Sequence, residues 1–238
     1  MKKLIAAVVI GLALTGAQAM TITDNFVVWE CSHCGAKAVE EEIASYNTFG
    51  ATSWSDCFMI APMAPTQHMV ARCWKCKKAF CQGTAKYSIV NCEKVAPADR
   101  KPVEWIGDYA AVKEVLDAGK GKLDPKLECD LRMRMLWATN NKERKETLGE
   151  DKSLAASLKV ENVPAAEVRE NMVKLSTSTW LPPWLRVEVL REMGDFAAAK
   201  KMLDEFAKSH PDEFKEGEKY FKGILSRIEK KDARVFKR

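Results

Sequence analysis

Two Cys-x-x-Cys pairs are the residues of this sequence whose type and spacing most clearly indicate chemistry. They are Cys31 with Cys34 and Cys73 with Cys76. Two residues between the cysteines let a tight turn, called a knuckle below, direct both sulfurs at one ion while backbone amides hydrogen-bond the thiolates. Two knuckles together supply a tetrahedral shell of four sulfurs, which suits Zn²⁺ or a rubredoxin-type iron. We therefore predict a closed metal site on these four cysteines.

The alternatives to a structural metal site differ in the fate of the four thiols. A four-thiolate shell leaves no open coordination position, so it is typical of a structural zinc rather than a catalytic one. In an oxidising compartment the same cysteines would form two disulfides and hold no metal. A dithiol redox centre is a third interpretation, although no thioredoxin-type βαβ pattern surrounds either pair. Gly35 and Lys77 stand where a c-type haem site requires histidine, which excludes that cofactor.

The residues beside the cysteines add detail to the predicted site. The position after the second cysteine of a knuckle often needs a positive φ, which favours glycine. Gly35 fits this position in the first knuckle, whereas Lys77 occupies it in the second. His33 and His68 are further candidate ligands, although four cysteines already complete the shell.

Four cysteines remain outside the two pairs. Cys57, Cys81 and Cys92 lie in the same part of the chain as the knuckles, and Cys129 lies in a segment with helical spacing. Exposed free thiols are unusual outside the cytoplasm, so a disulfide such as Cys81–Cys92 is one interpretation. The other is that these cysteines are small buried hydrophobic residues. We expect Cys129 to belong to a helical core.

Residues 46–57 are rich in polar and aromatic side chains and predict a loop or an irregular strand pair rather than a helix. Asn47, Thr52, Trp54 and Asp56 are the candidates for a polar binding surface beside the metal. The alternative, which we favour, is a hydrogen-bonded loop that caps the metal-binding ribbon.

The first nineteen residues are typical of a secretory signal peptide. Lys2 and Lys3 precede an uncharged apolar run over residues 4–14, and small residues follow at Ala17 and Ala19. We therefore expect a periplasmic or secreted protein without a membrane span in the mature chain. An uncleaved anchor and a cytoplasmic protein that starts at Met20 remain as alternatives.

The net charge gives little indication of a nucleic-acid partner. The chain has 38 Lys and Arg against 33 Asp and Glu, a net charge of +5. Removal of Lys2 and Lys3 with the signal peptide lowers the net charge to +3. The basic residues are spread along the chain with the acidic ones, so we predict no nucleic-acid binding.

The pattern of the chain changes near residues 97–102, a short Pro- and charge-rich segment. Before it, residues 26–29 and 87–90 read as strands; after it, the apolar spacing is helical. We predict an α+β, mostly α protein with a small β zinc-ribbon domain over 20–102 and an α-helical domain over 103–238. The first predicted helix begins near Pro102, carries Trp105, Tyr109, Val112 and Leu116, and ends at Gly119. The second begins at Asp124–Pro125 and ends near residues 140–141. Two further helices are predicted over 150–159 and 164–175, and another begins near Pro183.

The last third of the chain contains the turn and second-helix half of a tetratricopeptide (TPR) unit. Gly194 ends one helix, Asp195 caps the next, Ala199 allows close helix approach, and Pro211 follows 17 residues after Gly194. Only one clear copy is present, and such repeats need neighbours to bury their faces. A divergent TPR-like array and a plain helical bundle are therefore both open.

Several segments together resemble an uncharacterised bacterial family that joins a rubredoxin-like zinc ribbon to TPR-like helices. The resemblance covers most of residues 25–208 and rests on the two knuckles and on segments 46–56, 131–140 and 190–203. It implies Cys31, Cys34, Cys73 and Cys76 as zinc ligands, and the family has no established reaction. The chain departs from the family at Cys57, where glycine is common, and in its signal peptide.

The function that these features favour is a non-enzymatic zinc-binding protein whose four-cysteine zinc ribbon is attached to a helical platform for another protein or peptide. The alternative is an extracytoplasmic thiol–disulfide or metal-responsive redox protein that uses the Cys-x-x-Cys pairs. The chain has no His-Glu helix motif, nucleophile elbow or phosphate-binding Gly-rich loop, so no hydrolytic reaction is indicated.

Overall fold

A computed structural model describes residues 20–61, 64, 68–149 and 152–238, without the side chains of residues 152 and 153. The predicted signal peptide, residues 1–19, lies outside the described residues. The described part is α+β, with small antiparallel sheets followed by helices, which agrees with the predicted class. None of its helices has the length and apolar composition needed to cross a bilayer.

The strands form two three-stranded antiparallel sheets and one two-stranded ribbon. The first sheet has the order β2-β1-β7, the second has the order β6-β5-β8, and β3 pairs with β4. The first knuckle connects β1 to β2 and the second connects β5 to β6, so each sheet contributes two cysteines. The strands are β1 (Met20–Glu30), β2 (Lys37–Tyr46), β3 (Thr52–Ser53), β4 (Met59–Ile60), β5 (Val70–Arg72), β6 (Ala79–Cys81), β7 (Lys86–Asn91) and β8 (Glu104–Ile106).

The predicted helix start near Pro102 is wrong, because the chain is still extended there. Trp105 lies in β8 and pairs with Ala71 of β5. The preceding segment is also paired, since the Val39 N–H donates to the Lys101 carbonyl (2.8 Å) and the Val103 N–H donates to the Val39 carbonyl (3.1 Å). Strand pairing therefore crosses the predicted domain boundary at residue 102.

Most of the predicted helices form, with starts fixed by their capping residues. The Asp124 side chain accepts hydrogen bonds from the Lys126 and Leu127 amides, and the Asp195 side chain accepts one from the Ala198 amide. Gly194 ends the preceding helix with a φ of +78°. The helices are α1 (Tyr109–Ala118), α2 (Pro125–Thr139), α3 (Asn141–Leu148), α4 (Lys152–Ser157), α5 (Ala165–Thr177), α6 (Pro183–Glu192), α7 (Phe196–Ser209), α8 (Pro211–Glu216) and α9 (Glu218–Glu229).

Three adjoining hydrophobic cores run from the second sheet to the last helix. The first packs β5 and β6 against α1 and α2, the second packs α2 against α5 and α6, and the third packs α6 against α7 and α9. Cys129 is buried in the second core, as predicted, and Ala199 is buried in the third. Since α2 and α6 each serve two cores, the sheets and all three cores form a continuous packed series.

Candidate metal centre

The two knuckles have the same backbone geometry. In the first, the Cys31 N–H donates to the Ala36 carbonyl (2.9 Å) and the Gly35 N–H donates to the Cys31 carbonyl (2.9 Å). In the second, the Cys73 N–H donates to the Lys78 carbonyl and the Lys77 N–H donates to the Cys73 carbonyl, both at 3.0 Å. Equal loop length and equal hydrogen bonding thus bring the two sulfurs of each pair to the same side of their turn.

The position after the second cysteine has a positive φ in both knuckles, as predicted for Gly35. The φ is +69° at Gly35 and +62° at Lys77. Lys77 carries a Cβ in this left-handed region, which costs about 1–2 kcal/mol relative to a relaxed backbone. Neighbouring contacts hold this turn in place, because Arg72 Nη1 donates to the Lys77 carbonyl at 2.7 Å.

Helix α1 supports the second knuckle through one glutamate. Glu114 Oε1 accepts a hydrogen bond from the Ala79 N–H (2.8 Å), and Glu114 Oε2 lies 3.3 Å from Arg72 Nη1. The same Arg72 guanidinium bonds the Lys77 carbonyl, so one carboxylate braces both ends of the second knuckle. No local pattern in the sequence indicates this role, since Glu114 is 35 residues from Ala79.

The four sulfurs have the spacing of a tetrahedral site. All four lie within 4.8 Å of one another. The Cys31 and Cys76 sulfurs are 3.8 Å apart, and the Cys34 and Cys73 sulfurs are 3.6 Å apart. A tetrahedral zinc with bonds of about 2.3 Å has sulfur–sulfur edges of about 3.8 Å, whereas a disulfide bond is about 2.05 Å long. The cluster therefore fits a four-coordinate metal and contains no disulfide.

Burial and backbone amides shift the pKa values of the thiols in opposite directions. Burial raises the pKa of the Cys31 thiol to about 12. Burial alone would raise the pKa of the Cys73 thiol, but hydrogen bonds from the Cys76 and Lys75 amides and with the Cys76 and Cys31 thiols together outweigh it and lower this pKa to about 7. A bound cation is the group that stabilises buried thiolates, and its binding would displace the remaining protons.

The surroundings of the cluster supply no further ligand. Cys31 and Cys73 are buried against Ala71 and Phe80, while Cys34 reaches the surface. The His33 ring bonds the Ala79 carbonyl through Nε2 (2.9 Å) and is not part of the cluster, and neither is His68. Among the described residues, the group placed to hold a metal thus consists of cysteines alone.

The remaining cysteines of this part of the chain are free thiols. Cys81 is buried in the first core and fits the interpretation of a small hydrophobic residue, and the Cys81–Cys92 disulfide is not formed. Cys57 is half-buried, and its sulfur accepts a hydrogen bond from Arg238 Nη1 at 3.7 Å. Its φ of +63° places it in the region that favours glycine, the residue that the resemblance leads one to expect there.

Three of the four candidate residues for a polar binding surface, the interpretation that we did not favour, are buried. Thr52, Trp54 and Asp56 are 6%, 0% and 0% exposed, and only Asn47 retains an accessible side chain, in the turn before β3. Asp56 forms an ion pair with Arg144 of α3, which is equally buried. The favoured alternative, a loop that caps the metal-binding ribbon, describes only part of the contacts of this loop, because the loop also packs on the helices.

Comparison of the chain with protein-family models, with curated proteins and with solved structures finds no match.

Proposed function

We propose that this protein is a non-enzymatic zinc-binding protein in which a structural four-cysteine zinc ribbon is attached to a helical platform for protein interaction. The observation that carries the proposal is the tetrahedral spacing of four cysteine sulfurs, which could together fill all four coordination positions of a zinc ion. A closed shell of this kind leaves no place for a substrate or a reactive water, so its role is to hold structure.

A metal at this site would join two sheets that share no strand. Cys31 and Cys34 follow β1, whereas Cys73 and Cys76 follow β5. The β5–β6 hairpin is short, three residues in each strand, and a metal bonded to both knuckles would fix it against the longer β1–β2 hairpin. The zinc would thereby replace part of the apolar core that so small a β region lacks.

The helical region supports the second part of the proposal. Val173 of α5 and Trp180, in the turn between α5 and α6, are 44% and 54% exposed. Large apolar side chains left exposed on a folded protein are candidates for contact with a partner. We propose that the partner is another protein or a peptide, and that Val173 and Trp180 belong to its binding surface.

Metal analysis of the purified chain tests the zinc site. We expect about one equivalent of zinc, four thiols protected from alkylation, and a tetrahedral thiolate spectrum after Co²⁺ exchange. Cys31→Ser and Cys73→Ser should abolish stoichiometric metal binding, whereas the control Cys92→Ser should retain it. Protein without metal whose knuckle cysteines are disulfide-bonded would contradict the proposal and favour the redox alternative.

A second experiment tests the platform separately. Trp180→Ser combined with Val173→Ser should reduce recovery of a cross-linked partner from the native host at least several-fold, with the zinc content unchanged. The control is Val160→Ser, which removes an apolar side chain of similar exposure outside α5 and the turn after it. Equal recovery from both variants would show that this surface is not the platform.

A further inference from the structure

An open groove of about 560 Å³ runs along one face of α9 and shares no residue with the cysteine cluster. Helix α9 forms one wall, the extended segment 236–238 forms the other, and residues 216 and 217 lie at one end. Five basic side chains and one acidic side chain line the groove. They are Lys219, Arg227, Lys230, Lys237 and Arg238 against Glu216.

Only one of the five basic groups is neutralised by an ion pair. Arg227 Nη1 lies 2.5 Å from Asp232 Oδ2, so this pair adds no net charge to the groove. Arg238 Nη1 donates to the neutral sulfur of Cys57, and the three lysines form no ion pair with any described residue. Four cations therefore remain against a single glutamate, and the groove has a net positive charge.

Aromatic rings hold the two arginines in place along the groove. The Arg238 guanidinium lies 4.1 Å from the centre of the Tyr220 ring, and that of Arg227 lies 4.3 Å from the centre of the Phe236 ring. Such cation–π contacts restrict the orientation of a guanidinium without removing its charge. The fork of donors on Arg238 is thus held ready for a carboxylate, the anion that this geometry matches.

The segment 236–238 also has an unpaired backbone edge. The Ser55 N–H donates to the Phe236 carbonyl (2.9 Å) on one side of the Trp54–Lys237 bridge, and a second backbone bond of 2.8 Å flanks the bridge on the other side. In this antiparallel pattern the N–H and carbonyl of Lys237 point away from Trp54. Neither group has a hydrogen-bond partner among the described residues. A further extended chain could pair at this edge, as in peptide recognition by strand addition.

The spacing of the cations fits an extended chain rather than a compact anion. Lys219 and Lys230 are separated by about 16 Å along the helix axis, at a rise of 1.5 Å per residue. The same length corresponds to about five residues of an extended peptide. A single phosphate cannot span it, and a polyphosphate has no N–H to donate to the Lys237 carbonyl. An acidic peptide satisfies both the charges and the backbone edge.

We propose that this groove binds an acidic segment of a partner protein in an extended conformation, with its carboxylates on Lys219, Lys230 and Arg238 and its backbone paired with Lys237. This inference rests on the proposed function, in which the partner is a protein or a peptide, and it specifies the chemistry of that partner. The groove is separate from the zinc ligands and from the Val173–Trp180 surface, so each of the three can be tested alone.

Fluorescence anisotropy of a labelled peptide titrated with the metal-loaded full chain tests the proposal. The probe has four Glu-Thr repeats, and its uncharged counterpart has four Gln-Thr repeats. We expect saturable binding of the Glu-Thr peptide with a Kd below about 1 mM, and binding of the Gln-Thr peptide at least about ten-fold weaker. Raising the salt concentration from about 50 to 200 mM should weaken binding several-fold, because exposed charges are screened.

Variants of the chain locate the binding in the groove. Lys219→Glu combined with Lys230→Glu should weaken binding of the Glu-Thr peptide at least about ten-fold. The control, Lys201→Glu combined with Lys208→Glu, makes the same change of charge on α7, outside the groove, and should have little effect. Circular dichroism melting reports on the folding of both variants. No saturation, or equal losses in the two double variants, would overturn the proposal.

A modified peptide separates strand pairing from general attraction of anions. Methylation of the backbone nitrogens of the Thr residues keeps every charge but removes donors for the Lys237 carbonyl, and it should weaken binding several-fold. Unchanged binding of the methylated peptide, together with its displacement by an equal concentration of inorganic tripolyphosphate, would overturn the proposal in favour of a general anion site. The zinc content and the Trp180→Ser/Val173→Ser experiment test the proposed function separately, and that double variant should still bind the Glu-Thr peptide.

Discussion

At the scale of single residues, the two knuckles place different side chains in one backbone conformation. Gly35 and Lys77 have φ values of +69° and +62°. A Cβ added to Gly35 would meet only Glu30 Oε1, at the ordinary contact distance of 3.9 Å. The cost of a side chain at residue 35 is therefore backbone strain rather than a clash, and the same strain is present at Lys77.

Exchanging the side chains at these two positions should change stability in opposite directions. Gly35→Ala should lower the free energy of unfolding by about 1–2 kcal/mol, because alanine is strained at positive φ. Lys77→Gly should leave it unchanged or raise it by up to about 1 kcal/mol, because relief of strain offsets the added freedom of the unfolded chain. Urea denaturation of the metal-loaded variants measures both effects.

The adjacent lysine provides the control for this pair. Lys78 does not have a positive φ, so Lys78→Gly should destabilise by up to about 1 kcal/mol through backbone entropy alone. If Lys77→Gly and Lys78→Gly lost the same stability, strain at Lys77 would not be the cause.

At the scale of elements, a buried ion pair fastens the loop between β3 and β4 to α3. Asp56 and Arg144 are both fully buried, and Asn140 Nδ2 also donates to Asp56 Oδ2 at 3.0 Å. Asp56→Ala leaves an unpaired charge in the interior and should lower the free energy of unfolding by about 3–5 kcal/mol. The double variant Asp56→Leu/Arg144→Met, which leaves no unpaired charge, should recover much of that loss in urea denaturation.

An exposed ion pair on α7 is the matched comparison. Lys200 and Asp204 lie 3.2 Å apart with about half of each side chain exposed, so Asp204→Ala should cost less than about 1 kcal/mol. A loss at Asp204 as large as that at Asp56 would mean that burial does not set the cost.

The elements of the fold differ in how far each could be predicted from the sequence. The knuckles, the start of α2 at Asp124 and the Gly194–Asp195 turn depend on residues within a few positions of one another, and all were predicted. Strand β8 was not, because Trp105 and Tyr109 are four residues apart and fit a helical spacing equally well. The burial of Asp56 depends on Arg144, 88 residues away, and no local pattern identifies such a partner.

The buried charges that surround this contact do not balance when all are ionised. Asp56 pairs with Arg144, and Glu188 pairs with Arg191. Glu192 is the third buried carboxyl group, with only 3% of its side chain exposed. Its Oε1 has no hydrogen-bond partner. Burial first, and then the charges of Glu188 and Asp56, raise the pKa of Glu192 well above its ordinary value, against the opposing charge of Arg191, whose Nη2 lies 3.8 Å from Glu192 Oε1.

Glu192 should therefore make the protein less stable as the pH rises. A carboxyl group whose pKa is raised by folding favours the folded state below its ordinary pKa, about 4.3. That contribution is lost progressively as the pH rises towards the raised folded-state pKa. Glu192→Gln should remove this part of the pH dependence and increase stability at neutral and alkaline pH. The test is the urea midpoint of each protein measured across pH, with Glu205→Gln as the surface control. If the pH profile of Glu192→Gln ran parallel to the profiles of the wild type and of Glu205→Gln, the prediction would be contradicted.

At the scale of the whole molecule, the sheets and the helices are connected at several separate places. Val70 and Cys81 share a core with Val112 and Leu131. The last residues of the chain also return to the β region, since the Ser55 N–H donates to the Phe236 carbonyl at 2.9 Å. The Asp56–Arg144 ion pair is another connection between the β region and the helices. Contacts this widely spaced favour cooperative unfolding, in which a perturbation of the ribbon reaches the helices.

Metal removal should consequently destabilise the helices as well as the ribbon. Under the proposed zinc site, chelation leaves four thiols of which Cys31 and Cys73 are buried, and it releases the β5–β6 hairpin on which α1 packs. We expect the helical circular dichroism signal of the chelated protein to be lost at a lower urea concentration than that of the zinc-loaded protein. In the Co²⁺ form, the thiolate absorption and the helical signal should disappear in one coincident transition, because Glu114 and the shared core connect α1 directly to the second knuckle. Helices that unfolded at the same urea concentration with and without metal would show instead that the two regions are energetically independent, despite the strand pairing across residue 102.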